Sequence, residues 1–356
     1  MIGRIVYPPK GNMKYKRVTA MQLGTPDVLQ ITEHELQAPE KGKVRIRVLA
    51  ASVSRPDVSA RSGNSLYRGT PLAKKTPFVP GYAIIGDVDA IGEGVTGVTV
   101  GDRVGVLTVI GGYSEYVYWR SDRLIPVPAT VDPAEAVTLI LNYLVAYQTL
   151  HRSAKVKPGE KALIIGASGG IGTALLQLGK LANLQLYGIA SGEKLPAISS
   201  MGAVPIDYRT QDFVTFMRAA EPDGIDVVVD GMMRLNYIQG GLSLLRRGGR
   251  MVSYGEPAGL GTLFRILLLV LRHKFGPSGK SFQLYGTSTY FLFDPKPYVE
   301  DWAALFQLLE TGRIQPVIAQ RFPLLEAAKA NALLESGSVI GNVVLVSDLL
   351  SSGGGS

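Results

Sequence analysis

The stretch Lys161-Ala-Leu-Ile-Ile-Gly166-Ala167-Ser168-Gly169-Gly170-Ile171-Gly172 leaves a folding chain few choices. Lys161–Ile165 is a short apolar run bounded by glycine, which predicts a buried strand. The apolar residues that follow Gly172 recur at helical spacing, so a helix begins at Gly170 and runs to Leu181. The loop between them fits G-x-G-x-x-G, with Ala167 in the first slot and Gly169 and Gly172 in the others. A glycine at 169 lets the backbone approach a pyrophosphate, and one at 172 lets the helix pack on the strand. The free N–H groups and the positive dipole end of the helix then face the phosphates. The expected contacts of a dinucleotide are Ala167, Ser168, Gly169, Gly170, Ile171 and Gly172. A tight strand-to-helix turn without a ligand would use the same glycines.

The rest of the chain divides around this motif. Gln185–Ile189, Ile225–Asp230 and Arg250–Tyr254 are further apolar runs alternating with helical segments, the pattern of a buried parallel sheet. Earlier, residues 15–53 and 79–123 hold short alternating runs broken by glycine turns, which suggests a partly open barrel or sandwich. Val44, Ile46 and Val48 face one way there, and Lys43, Arg45 and Arg47 the other. Asp132-Pro133 reads as the start of an apolar helix over Ala134–Leu150. A β-rich pattern returns after Phe291 and ends in the strand Asn342–Val346. The prediction is an α/β chain in which a doubly wound Rossmann domain (137–290) interrupts a β-rich domain (13–136 and 291–347). Residues 348–356 read as a linker-like tail.

The second strand of the motif ends at Ala190-Ser191, with no carboxylate at its tip to bond a ribose 2′-hydroxyl. Ser191, Lys194 and Tyr208, with Arg209 beside it, make a small hydroxylated basic pocket suited to a 2′-phosphate, so NADPH is the expected cofactor. Glu193 reads as a helix-start glutamate turned to water.

Composition removes several classes of chemistry. The chain of 356 residues has no cysteine, so disulfides, iron–sulfur clusters, thiolate zinc sites and a catalytic thiol are excluded. Its three histidines, His34, His151 and His273, are far apart in sequence, and no metal is expected. Lack of cysteine fits a cytoplasmic protein, and Met1–Lys10 lacks the apolar core of a signal peptide. A formal charge of +8 attracts anions, whether a cofactor or a membrane surface, but no nucleic-acid motif accompanies it. In segment 263–274 the unbroken apolar run Ile266–Leu271 is framed by bases. It is too short to span a bilayer. A buried helix, a dimer contact, a substrate wall and an interfacial membrane helix remain open for it.

Several motifs together resemble the medium-chain dehydrogenase/reductase superfamily, in its zinc-free quinone oxidoreductase branch. They are Thr25-Pro26-Asp27-Val28-Leu29, Ser59-Ala60-Arg61-Ser62-Gly63, Phe78-Val79-Pro80-Gly81-Tyr82, Gly101-Asp102-Arg103-Val104, Gly112-Tyr113-Ser114-Glu115-Tyr116, Gly166–Gly172, Ile206-Asp207-Tyr208-Arg209, Arg247-Gly248-Gly249-Arg250 and Ser253-Tyr254-Gly255. The resemblance implies a GroES-like catalytic domain, a Rossmann domain, a cleft between them and a homodimer. Where zinc-dependent members read Gly-His-Glu, this chain reads Gly81-Tyr82-Ala83. It therefore implies hydride transfer without zinc to a small hydrophobic electrophile, a quinone or an α,β-unsaturated carbonyl, whose conjugation spreads the arriving charge.

The resemblance also directs attention to particular residues. Ser54 and Ser59 stand where relatives carry an asparagine and a tyrosine beside the nicotinamide. Asp57 and Arg61 are expected to pair and hold that segment. Tyr67 and Tyr82 are the remaining hydroxyl candidates for orienting a carbonyl or donating a proton. Asn142 should line the cleft or make a structural hydrogen bond. Met232 and Met233 replace a valine–glycine pair, and Tyr254, Gly255 and Asn342 should approach the nicotinamide. These departures keep an alternative open: an NADPH-binding, weakly or non-catalytic protein with a regulatory or membrane-associated role.

Overall fold

The computed structural model describes residues 13–64, 66, 70, 74–287 and 294–351. Short alternating runs make the first part antiparallel. Strand β1 (Lys14–Ala20) pairs with β2 (Leu29–Glu35) as a separate two-stranded sheet. Strand β3 (Lys43–Val53) pairs with β4 (Ala83–Ile91), which pairs with β5 (Arg103–Leu107). Strand β6 (Tyr116–Arg120) pairs with β3, and β7 (Ile125–Pro126) closes on β5. Val44, Ile46 and Val48 are buried as their alternation predicts. Arg45 departs from it and is buried too, with its Nε 2.5 Å from Asp89 Oδ2 and its Nη1 donating to the Gln37 carbonyl at 2.9 Å. Those partners lie on other segments, beyond the reach of alternation along one strand.

A helical segment then crosses to the second sheet. Asp132 Oδ1 caps it by accepting from the Ala134 amide at 2.9 Å, with Pro133 in the first turn. The expected single helix is interrupted. Pro133–Thr138 and Leu144–Tyr147 are α-helical, while Leu139–Tyr143 and Gln148–Ser153 widen to i→i+5 turns. Such widening relocates side chains and is frequent at functional sites. Leu139, Ile140, Leu144 and Leu150 are fully buried, each contributing about 1.5–3 kcal/mol of transfer free energy.

The apolar runs that follow form a six-stranded parallel sheet. Its strands are β8 (Lys161–Ile165), β9 (Gln185–Ala190), β10 (Ala203–Asp207), β11 (Ile225–Asp230), β12 (Leu245–Tyr254) and β13 (Ser281–Tyr285), in the order β10-β9-β8-β11-β12-β13. The order reverses between β8 and β11. The loops leaving the carboxyl ends of those two strands diverge, and they open the crevice where ligands of such sheets sit.

The last part was expected to be β-rich from its start. It opens instead on a helix, Lys296–Glu310, whose buried Trp302, Leu305, Phe306 and Leu309 follow helical spacing. Trp302 Nε1 donates to the Ile140 carbonyl at 3.2 Å and fixes this helix to the crossing segment. Strand β14 (Ile318–Pro323) and β15 (Asn342–Val346) then join the first sheet, with β15 antiparallel to β3. Residues 348–351, read from sequence as part of a linker-like tail, form a helical turn.

Candidate active site

The glycine loop sits at the carboxyl end of β8, on the crevice. Gly166 has φ +87°, so it, and not the residue in the first motif slot, makes the tight turn. That explains the tolerance for Ala167, which is fully buried with its amide donating to the Ile189 carbonyl at 3.1 Å. Ala167 shapes the loop from beneath. Gly169 precedes the helix Gly170–Leu181, and a methyl built on it would meet only the Gly166 carbonyl oxygen, at 3.7 Å. Its outer face is open. At Gly172 a methyl would lie 2.6 Å from the Ala167 carbonyl carbon and closer still to the Gly166 oxygen, so helix and loop touch only because no side chain intervenes. Free backbone N–H groups at the start of a twelve-residue helix beside an open glycine fit a pyrophosphate.

The return segment clamps this loop. The Gly341 amide donates to the Ser168 carbonyl at 2.9 Å. Asn142, in the widened turn of the crossing segment, donates from Nδ2 to Asn342 Oδ1 at 2.6 Å, and Asn342 Nδ2 donates to the Val317 carbonyl at 2.9 Å. A methyl on Gly170 would lie 2.5 Å from both asparagine side chains. Asn142 and Asn342 therefore meet over the helix start. Gly341 was not picked out from sequence, although glycine is required there: it has φ +81°, and a methyl would lie 2.8 Å from the Val317 side chain.

At the end of β9, Ala190 and Ser191 are both buried. Lys194 departs from its expected role. Its Nζ donates to the carbonyls of Gly337 and Val339, at 2.5 and 3.0 Å, and burial lowers its pKa. The cation ties the Rossmann sheet to the return segment. Tyr208 is exposed at the mouth of the same edge, and Arg209 beside it faces Glu193 at 3.4 Å.

Across the crevice, the loop after β11 is organised by Asp230. Its carboxylate accepts from the amides of Met232 at 2.9 Å and Met233 at 3.2 Å and from Ser253 Oγ at 3.1 Å. Burial nonetheless raises its pKa to about 6. The two methionines diverge. Met232 is exposed, and its Sδ would lie 3.7 Å from a methyl on Gly166, so it borders the loop. Met233, with φ +52°, is buried and packs toward Gly255. Tyr254 is buried over Gly231, where a methyl would lie 2.5 Å from its hydroxyl, and burial raises its pKa. The Gly255 backbone, not the Tyr254 ring, is the part of that pair exposed at the crevice.

On the antiparallel side the sequence expectations need revision. Ser54 is the N-cap of the helix Arg55–Ser62. Its Oγ donates to Asp57 Oδ2 at 2.5 Å and its amide to the same oxygen at 2.9 Å, all buried. A hydroxyl committed in this way is a structural cap and cannot serve as a proton donor to substrate. Asp57 and Arg61 do not pair. Asp57 also accepts from the Gly81 amide at 2.8 Å and contacts Tyr113, and burial raises its pKa to about 6. Arg61, fully buried, pairs with Glu335 at 2.6 Å and donates to the Gly24 carbonyl. A helix turn predicts the wrong partner because both ions find better ones on distant segments. Ser59 meets the Glu256 carboxyl, just past Gly255, so the two halves touch across the crevice through a residue that sequence reasoning missed. Tyr82 packs half-buried against the main core cluster, and its carbonyl accepts from Val109 at 3.0 Å. Tyr67 lies outside the described residues. Among the described residues, no three His, Cys, Asp or Glu side chains gather as a metal-ligand set.

A largely antiparallel GroES-like sheet joined to a doubly wound sheet, with a glycine loop facing the crevice between them, defines a two-domain dehydrogenase or reductase that uses a nicotinamide cofactor. Residues 40–129 match the family model "Alcohol dehydrogenase GroES-like domain", and residues 201–345 match "Zinc-binding dehydrogenase". The chain is 30% identical to a 2-haloacrylate reductase of Burkholderia sp, over 91% of this chain and 96% of the relative. It is 27% identical to a quinone oxidoreductase of Rattus norvegicus, over 94% and 99%. The crystal structure of the Escherichia coli quinone oxidoreductase complexed with NADPH superposes with a TM-score of 0.81 at 26% identity, covering 93% of this chain and 99% of that one. The chain belongs to the medium-chain dehydrogenase/reductase superfamily, in its zinc-free quinone oxidoreductase-like branch.

Proposed function

We propose that this oxidoreductase takes NADPH and reduces a small hydrophobic quinone or α,β-unsaturated carbonyl without zinc. The observation that carries the reading is the glycine loop, open at Gly169, closed at Gly172 and clamped by Gly341 and the Asn142–Asn342 pair. When bound, the cofactor supplies a hydride from C4 of its nicotinamide. The chain's part is to hold and orient. The first turn of the helix Gly170–Leu181 receives the pyrophosphate, and Asn342, Gly255 and Met232 border the space beyond it. The half-buried Asn142 and Tyr82 are the candidates to donate a hydrogen bond to the acceptor's carbonyl oxygen, where charge develops as hydride arrives. Solvent or Tyr82 supplies the proton.

Three observations support these choices. The tip of β9 carries Ala190 and Ser191 and no carboxylate, which suits a 2′-phosphate, and Tyr208 and Arg209 stand at its mouth. The Escherichia coli structure holds NADPH. The Burkholderia and rat relatives reduce a conjugated acid and quinones by their names, and both acceptor types delocalise negative charge. A homodimer and a cytoplasmic location complete the proposal, and segment 263–274 supports contact with a membrane surface as an added property.

The test is NADPH oxidation across a panel of quinones and enones, with NADH in parallel. Turnover with either acceptor class and a preference for NADPH is expected. Tight NADPH binding with no oxidation by any acceptor would favour the binding-protein alternative, for which Met232 at the loop is the specific observation.

A further inference from the structure

The helix Leu260–Phe275 carries its apolar residues on the wrong side for a core. Only Ile266 is fully buried, on the face that packs against β13. Leu260, Phe264, Leu267, Leu268, Leu271 and Phe275 are 58, 63, 42, 50, 51 and 77% exposed. Their spacing (i, i+4, i+7, i+8, i+11, i+15) places all six in one stripe along the helix. At 100° per residue, this stripe lies almost opposite Ile266. A contiguous exposed stripe of large apolar side chains marks a surface that something else covers.

Charge decides what covers it. Arg265 and Arg272 flank the stripe on one side and Lys274 on the other, and the helix contains no carboxylate. Arg247 joins them near the helix end, where its side chain lies beside Gly279. None of these four cations forms an ion pair among the described residues. A second copy docking helix to helix across a two-fold axis would set its own Arg265, Arg272 and Lys274 against these, with no acidic group on either helix to offset them. An anionic lipid surface meets both features at once, accepting the apolar stripe between acyl chains while phosphates meet the flanking cations. No helix among the described residues is long and apolar enough to cross a membrane, so the helix would lie along the surface.

We infer that the helix Leu260–Phe275 is an interfacial anchor that docks the protein on anionic lipid, with Phe264, Leu267, Leu268, Leu271 and Phe275 buried at the acyl boundary. Arg265, Arg272 and Lys274 then reach the headgroups by their long stems. This docking rests on the membrane contact proposed above for segment 263–274 and is independent of the reductase reading, because it uses no residue of the crevice.

Co-sedimentation of the full chain with phosphatidylcholine vesicles, with and without phosphatidylglycerol, tests it. Pelleting is expected only with phosphatidylglycerol and should weaken with salt. Leu268→Glu/Leu271→Glu, which alters exposed positions only, should lower the bound fraction at least about tenfold, since two apolar anchors are lost. Arg265→Glu/Arg272→Glu should do likewise. Unchanged thermal unfolding and NADPH binding in both variants confirm that they fold. Phe264→Trp should show a blue-shifted emission on phosphatidylglycerol vesicles. Absence of pelleting, or equal pelleting on neutral vesicles, overturns the inference. Wild-type pelleting by the leucine variant also overturns it, by reducing the contact to surface charge. A dimer in sedimentation that the leucine variant dissolves, without vesicle binding, assigns the stripe to a second copy and overturns it as well.

Discussion

Gly169 and Gly172 lie three residues apart in one loop, and adding a methyl at each should have separable effects. At position 172 the new carbon would lie 2.6 Å from the Ala167 carbonyl carbon, where ordinary contact begins at about 3.4 Å. Both neighbours are backbone and cannot rotate away. The Gly166 oxygen lies closer still, so the helix start and the loop must part by about 1 Å, at a cost of about 1–3 kcal/mol in stability. The same displacement stretches N–H contacts to a phosphate beyond hydrogen-bonding range. Each charge-assisted bond lost is worth about 1.5–3 kcal/mol, or roughly ten- to a hundredfold in Kd. At position 169 the backbone is extended and the nearest atom is 3.7 Å away, so Gly169→Ala folds as the native chain does. Its methyl instead occupies the approach of the pyrophosphate. Urea unfolding and nicotinamide-fluorescence titration with NADPH resolve the two effects. Gly172→Ala should lose stability and affinity together, and Gly169→Ala affinity alone. Native NADPH affinity in a folded Gly169→Ala variant would refute the placement of the dinucleotide on this loop.

Three further outcomes are expected. Lys194→Met leaves the Gly337 and Val339 carbonyls without their donor; it should lower stability by about 1–3 kcal/mol while leaving the NADPH-to-NADH affinity ratio unchanged, and a swing toward NADH would return Lys194 to the 2′-phosphate. Asp230 has a folded pKa raised to about 6, against about 3.9 unfolded, so the native state holds its proton more tightly. Its contribution is full below the unfolded value and is lost as pH rises through 6, about 3 kcal/mol in all; between pH 5 and 8 about 1.4 kcal/mol of it is lost, and urea melts at those two values should show that in the wild type and not in Asp230→Asn, whereas equal pH dependence in both would contradict it. Arg61→Met strands Glu335, which is partly exposed, and removes the donor to the Gly24 carbonyl; unfolding should show a loss of about 3 kcal/mol, toward the low end for a broken buried pair.

The parts of this fold legible in the sequence are those set by local period and local turns. Strands Lys161–Ile165, Ile225–Asp230 and Asn342–Val346 lie where their apolar runs predict, and the glycine loop announces its helix. Asp132-Pro133 marks its cap for the same reason. The helix Lys296–Glu310 was legible in principle, since Trp302, Leu305, Phe306 and Leu309 keep helical spacing, but a preceding run of prolines and aromatics suggested strands. Ser54 and Asp57 stand three residues apart, so that cap was legible as a local Ser-x-x-Asp pattern. What remained hidden depends on partners distant in sequence: Lys194 looks like a phosphate ligand until the carbonyls at 337 and 339 fold beneath it. Arg61 finds Glu335 across 274 residues. Charged side chains are the least predictable part of the site because the long-range fold decides which partner each one meets.

The proposed reaction is hydride transfer from a cofactor on the glycine loop to a conjugated acceptor. Its most direct test is a single turnover with NADPH deuterated at C4, on each face in turn, and an α,β-unsaturated carbonyl, with the product analysed by mass spectrometry and NMR. One deuterium is expected at the β-carbon, from one face only, and a solvent-derived proton at the α-carbon. A product without deuterium from either labelled face, or unreacted acceptor beside bound NADPH, would contradict hydride transfer.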